Sequence, residues 1–453
     1  MNKKTALTIL VIIIIVAILL IGFFLFFQKQ SEQNNPVVTA ARNFFGGFFP
    51  TTENTNTNNV SNTNGQDIVV PNGVIPRLRQ ISSFPVAGGV MFERFATTTS
   101  LLTQESTSTT TNSATSTKAA EVIYRFVERA TGHVYETTSR DLSQIRITNT
   151  TIPKTYQAFF SADGENLAMI YLNSGAIETF LGKINYLKNE TSTTTSAFET
   201  KEKKDDGLAT IIGNFLPSDS FGLAKSQNSS DLAFFSLVDS PDGNYAVNLY
   251  TSNLKTPLLN KNIYELNTSE WKIQILKDGT LTLNTKPSVS AEGFLYFLNP
   301  KDGILKKKLG NTTGLTSLTS PDGKKILYSY YDFGTTKNVL YDTTKKKYFT
   351  LNFSTIASDK CVWGQKNTAD LYCAIPTNLI RGEFPDIWYQ GKYAFNDGLV
   401  KIDTETFATK NLLDANTETK TNLDITNLQL SPSEDYLMFM NKSDLILWSL
   451  DIK

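Results

Sequence analysis

Few side chains in this chain could do covalent or metal chemistry. In 453 residues there is one histidine, His133, and there are two cysteines, Cys361 and Cys373. A zinc site needs three or four soft ligands, so this inventory excludes the usual soft-metal centres, and neither a metal nor a cofactor is expected. His133 follows Glu128-Arg129-Ala130-Thr131-Gly132 with no nucleophile motif beside it, so it reads as a hairpin residue, not a general base. Aspartates recur in Ser161-Ala162-Asp163-Gly164, Ser240-Pro241-Asp242-Gly243 and Ser320-Pro321-Asp322-Gly323. A calcium loop would need several oxygen ligands at alternate positions. One Asp per tetrapeptide is instead what a turn uses to fold a carboxylate onto its own backbone. No G-x-S-x-G elbow is present. The expectation is that the chain is not an enzyme.

Two constellations remain. Cys361 and Cys373 bracket a hairpin in which 362 faces 372, 363 faces 371 and 364 faces 370, which sets the cysteines opposite each other. Opposite residues of a non-hydrogen-bonded antiparallel pair lie about 4.5 Å apart at Cα, within reach of a disulfide. The second is Arg381 to Tyr393, RGEFPDIWYQGKY, too long and aromatic for a simple connection. Its Phe384, Asp386, Trp388 and Tyr389 are either a binding loop or a plug that buries its aromatics between other elements.

These residues need strands to position them. The turn markers sit between apolar-alternating runs, as in TSLTSPDGKKILYSYY from Thr316 to Tyr331, and a further marker is Ser431-Pro432-Ser433-Glu434. Two hairpins, four strands in roughly 40 residues, are what a β-propeller blade requires. Seven fit, near 78–140, 155–187, 219–260, 270–310, 314–351, 360–413 and 425–453. The last holds only three strands, NLQL, YLMFM and LILWSLDI, so a segment before blade one, 67–70 or 74–79, is expected to complete it. Low-complexity stretches at 96–118 and 189–207 read as surface loops, the first inside blade one and the second after blade two.

The Ser-Pro-Asp-Gly turn followed by Lys-Lys-Ile-Leu-Tyr or Asn-Tyr-Ala-Val resembles the repeat of TolB-like propellers and of the propeller in prolyl oligopeptidase-type peptidases. The whole chain resembles uncharacterised membrane-anchored propellers of small-genome bacteria, with Pro76-Arg77-Leu78-Arg79-Gln80-Ile81 and Trp388-Tyr389-Gln390-Gly391 among the shared motifs. That resemblance implies an all-β, seven-bladed fold and no particular ligand. It departs from the peptidases in having no hydrolase segment after blade seven.

Ahead of the strands, Ala6 to Phe27 is uncharged and apolar, long enough as a helix to cross a hydrocarbon core of about 30 Å. Lys3 and Lys4 precede it, which favours a cytoplasmic N-terminus and a ring outside the membrane. The expected organisation is a signal anchor over 1–27, a disordered Asn/Thr-rich tether over 28–66 and the propeller over 67–453. Within the tether, Phe44-Phe45-Gly46-Gly47-Phe48-Phe49 reads as an interfacial or partner-docking patch. Lys+Arg and Asp+Glu both number 43, and without a basic cluster nucleic acid is not expected as a partner. The functional expectation is a membrane-anchored, protein-binding or scaffold module of the cell envelope. The alternative is an extracytoplasmic hydrolase or lyase acting on glycans or peptides, which requires acidic residues to converge in one pocket.

Overall fold

A computed structural model describes residues 75–95, 121–141, 143–186, 208–227, 229–239, 245–257, 260–378 and 381–453. They form seven four-stranded antiparallel sheets, the blades of a propeller. The inner strands of blades one to seven are Val86–Arg94, Thr155–Phe160, Ser220–Lys225, Trp271–Ile275, Thr316–Thr319, Cys361–Trp363 and Ile425–Leu430. In six blades the strands follow one another outward in chain order. In blade seven the outermost strand is Leu78–Gln80, paired as Leu78↔Leu450, Arg79↔Ser449 and Gln80↔Trp448. The ring is thus closed by the segment that precedes blade one.

The turn tetrapeptides show why these residues change direction where they do. Ser320 Oγ donates to Asp322 Oδ1 at 2.7 Å, and that oxygen also accepts from Lys324 N at 3.1 Å. Gly323 takes φ 72°, a left-handed conformation that costs a glycine little, and its N–H closes the turn onto Ser320 O at 2.9 Å. The copy at 161–164 makes the same bonds. The aspartates are therefore committed to their own turns. Residues 240–244 lie outside the described set.

Each blade buries its faces only against its neighbours. Phe160, Leu167 and Met169 of blade two pack with Val90 and Val127 of blade one; Phe235 and Leu249 of blade three pack with Trp271 and Leu283 of blade four. Full burial of one such side chain contributes about 1.5–3 kcal/mol before ordering costs. Blades one and two approach closely at Gly88, where an added Cβ would stand 2.1 Å from Ala158 O.

Three expected boundaries are corrected, the first being that blade three runs past residue 260 to take its outer strand from Lys261–Leu266. Blade one begins at Val86 and ends in Ile145–Arg146, because Leu78–Gln80 belongs to blade seven. Blade two takes its outer strand, Thr210–Phe215, from beyond the low-complexity stretch, so 189–207 lies within that blade. Thr210–Phe215 is separated in sequence from its partner Ala176–Asn185 by that low-complexity stretch, which lies outside the described residues. The expected anchor over 1–27, the tether over 28–66, its aromatic patch and the 96–118 loop fall outside the described residues. Among the described residues no helix is long and apolar enough to cross a membrane.

Candidate functional site

All seven inner strands run the same way along the axis, so the ring has an entry end, where they begin, and a turn end, where they meet their first hairpin turn. The two ends are built differently.

At the entry end, residues 381–395 form a stopper. Phe384 and Trp388 are each 1% exposed. Phe384 packs on Phe395 and Tyr393 with ring centroids 5.3 and 5.1 Å away. One short helical turn, Asp386–Tyr389, carries the remaining contacts. Asp386 Oδ2 accepts from Ser288 Oγ at 3.0 Å and Val289 N at 3.1 Å in blade four. Gly382 N donates to Gly334 O of blade five at 2.9 Å, and Lys442 of blade seven donates to Trp388 O at 2.9 Å. A segment of blade six is therefore fastened to blades four, five and seven.

Beneath it lie buried charges. Lys360, just before the inner strand of blade six, donates to Asp397 Oδ2 at 2.5 Å, Asp424 Oδ1 at 2.7 Å and Ile425 O at 3.0 Å. Trp388 Nε1 donates to both oxygens of Asp424, at 3.0 and 2.9 Å. Burial pushes the Asp397 carboxyl up to about 6, against the pull of Lys360 and with the help of neighbouring Asp424. Nearby, Tyr389 OH donates to Asp359 Oδ2 at 2.6 Å, while Lys272 Nζ donates to Tyr389 OH at 2.7 Å and to Asp359 Oδ1 at 3.1 Å. Burial raises the Asp359 carboxyl, but Lys272 and the hydroxyls of Ser358 and Tyr389 outweigh it and hold it below its ordinary value. Burial, then Asp359, pushes the Tyr389 hydroxyl well up.

At the turn end the channel opens into a cavity of about 430 Å³. It lies between the inner strands of blades one, two, six and seven, with Lys225 and Gln227 reaching it from blade three. Gln365 Nε2 donates to Gln227 Oε1 at 2.6 Å, joining blades six and three, and Gln429 Nε2 donates to Gly89 O at 3.1 Å. Gln157 Oε1 and Gln365 Oε1 are buried with no hydrogen-bond partner among the described residues. Lys225 has no carboxylate at hydrogen-bond distance among the described residues. Burial lowers its amine to about 8, with Asp163 opposing from a position where it already pairs with Lys255 at 2.7 Å. No described carboxylate lines this cavity.

The residues singled out in the sequence are thus distributed as follows. Phe384 and Trp388 are core, and Asp386 and Tyr389 are half-buried and hydrogen-bonded, so the four form the stopper. Cys361 and Cys373 face each other at a Cα separation of 4.1 Å in a disulfide, with Val362↔Tyr372 and Trp363↔Leu371 as neighbours. His133 Nε2 lies 2.9 Å from Thr151 Oγ1 at the edge of blade one. Lys225 and the four glutamines were not singled out. The available signal was Lys225 itself, a cation inside the otherwise uncharged strand SFGLAK.

No family model matches the chain, and no curated protein matches it. Among solved structures, it is similar to oligogalacturonate lyase from Vibrio parahaemolyticus, at 11% identity and TM-score 0.46, over 74% of this chain and 86% of that one. It is similar to TolB from Acinetobacter baumannii, at 12% identity and TM-score 0.38, over 72% and 80%. It is also similar to the β-propeller domain of the Trilobed protease from Pyrococcus furiosus, at 12% identity and TM-score 0.42, over 74% and 94%. These likenesses concern the fold. They correct one expectation: with a lyase among similar structures beside TolB, the fold's neighbours are mixed and the expectation that the chain is not an enzyme does not stand.

Proposed function

We propose that this chain is a binding module of the cell envelope that engages its partner through the turn end of the ring. The observation that carries the reading is that the stopper fills the entry end, whereas the turn end keeps a cavity lined by polar groups. At the entry end the charged side chains pair with one another beneath packed aromatics and leave Asp397 Oδ1 buried without a partner among the described residues but with no cavity beside it described, whereas at the turn end Gln157 Oε1 and Gln365 Oε1 stand unpartnered at a cavity of about 430 Å³. Buried polar atoms without partners are costly, and a site that keeps them is suited to a ligand that supplies the missing bonds. In this reading residues 1–27 anchor the chain, residues 28–66 let the ring stand off the membrane, and the ring lies outside the cytoplasm. Lys3 and Lys4 before the apolar run support that orientation, as does the Cys361–Cys373 pair, since disulfides persist in oxidising compartments.

The test is photocrosslinking in native membranes from two exposed positions, Lys366 at the turn end and Lys392 on the stopper. Adducts from 366 and none from 392 are expected. The reverse pattern would overturn the assignment.

A further inference from the structure

We infer that the turn-end cavity captures a free peptide C-terminus, with Lys225 meeting the terminal carboxylate. The inference rests on the binding-module reading above and specifies its ligand. Three observations carry it. The one cationic group lining the cavity is Lys225, which has no carboxylate partner among the described residues, so the pocket offers an anion site and supplies no anion of its own. Gln157 Oε1 and Gln365 Oε1 are buried acceptors without donors, and the amide N–H groups of the last residues of a peptide are donors. The rest of the lining is largely aliphatic, including Val90, Leu428 and Leu430, which suits a terminal side chain. A cavity of about 430 Å³ falls in the small-ligand range of roughly 300–1,000 Å³, enough for a chain end and not for a folded domain. Capture of a C-terminal carboxylate is an established mode of peptide recognition; here an amine and side-chain amides take the place of a backbone nest.

The chemistry is charge-assisted. A carboxylate brought to Lys225 exchanges part of its hydration for a bond to a desolvated ammonium, which is stronger than a neutral hydrogen bond. The amide donors then fix the direction in which the chain enters. An internal acidic side chain would supply the charge without ending the chain, and a cavity of about 430 Å³ has less room for a continuing chain than for a terminus.

The experiment uses the full chain in detergent and a pool of N-acetyl tripeptides made once as free acids and once as C-terminal amides, read by affinity-selection mass spectrometry. The acids should be retained about tenfold over the amides, the range expected for one charge-assisted bond. Lys225→Met should abolish that preference, and Lys225→Arg should keep most of it. Gln157→Leu should weaken acids and amides alike. Equal retention of acids and amides, or retention of neither, would overturn the inference, as would a preference unaffected by Lys225→Met. A uronic acid retained in place of the tripeptide acids would assign the carboxylate to a glycan and also overturn it. A turn-end crosslink from position 366 without an acid preference would sink this inference alone; absence of that crosslink would sink the parent reading.

Discussion

The two ends of this ring are made from the same kinds of connection and have opposite chemistry. At the entry end Lys360, Lys272 and Lys442 each have an oxygen partner, and the stopper's aromatics are buried over them. At the turn end Lys225 has no carboxylate at hydrogen-bond distance and two glutamine oxygens have no donor, among the described residues. A conspicuous aromatic motif is thus largely buried, while an inconspicuous lysine lines the cavity. The difference teaches that aromatic content alone does not mark an open surface in this fold: the aromatics fill one end, and the cavity lies at the other.

The largest test of that contrast is Trp388→Ala. It removes a buried indole and takes the indole N–H from Asp424 Oδ2, leaving Asp424 with Lys360, so a loss of about 3–5 kcal/mol is expected by chemical denaturation. A loss near zero would collapse the distinction between the ends. Lys360→Met should be comparable, about 3–5 kcal/mol, because it leaves Asp397 and Asp424 as uncompensated buried charges.

Acidity sharpens the same comparison. The Asp397 carboxyl is raised from 3.8 to about 6, so between these values the folded chain holds a proton that the unfolded chain has released. Its contribution to stability therefore falls as pH rises through that window, and Asp397→Asn should flatten that slope in pH-dependent melting.

Reduction of Cys361–Cys373 comes next. The bridge spans 12 residues in a hairpin already closed by backbone bonds, so its opening should cost at most roughly 3 kcal/mol. A cysteine-to-alanine pair followed by urea titration would measure it. The smallest effect on stability belongs to the open end. Lys225→Met should not lower the melting temperature, since burial disfavours the charge it removes. Binding of an anionic ligand, by contrast, should weaken as pH rises above about 8, where the Lys225 amine loses its proton; Asp163, neutralised by Lys255, stays ionised throughout.

The ring was legible in the sequence because turn chemistry is local. Pro, Asp and Gly at fixed offsets specify a reversal whatever lies beyond, and the register of the Cys361–Cys373 hairpin followed from counting residues out from its turn. Even where the marker degenerates to Ser431-Pro432-Ser433-Glu434, the turn survives. Glu434 takes φ 59° in the glycine's place, and its carboxylate accepts from Gln365 N and Lys366 N at 2.5 and 2.8 Å. The outer strand of blade two was missed because its partner lies before a low-complexity stretch, where no local signal links them. The turn-end cavity was missed for a stronger reason. Gln157, Lys225, Gln365 and Gln429 come from four blades, and only closure of the ring brings them together.

The closing strand has a mechanical consequence. Chain preceding residue 75 enters the ring through Leu78–Gln80, so tension from that side falls first on the Arg77 bonds to Leu412 O of blade six and to Glu418, and then on three residue pairs with 448–450. Behind them Arg79, buried, donates to Thr138 O at 2.8 Å in blade one, and Val86 N donates to Leu445 O at 2.9 Å in blade seven. A pull is thereby shared among blades six, seven and one before the other blades are loaded. Under force the ring should part at this seam, and single-molecule extension from the N-terminal side should show blade seven yielding its outermost strand first.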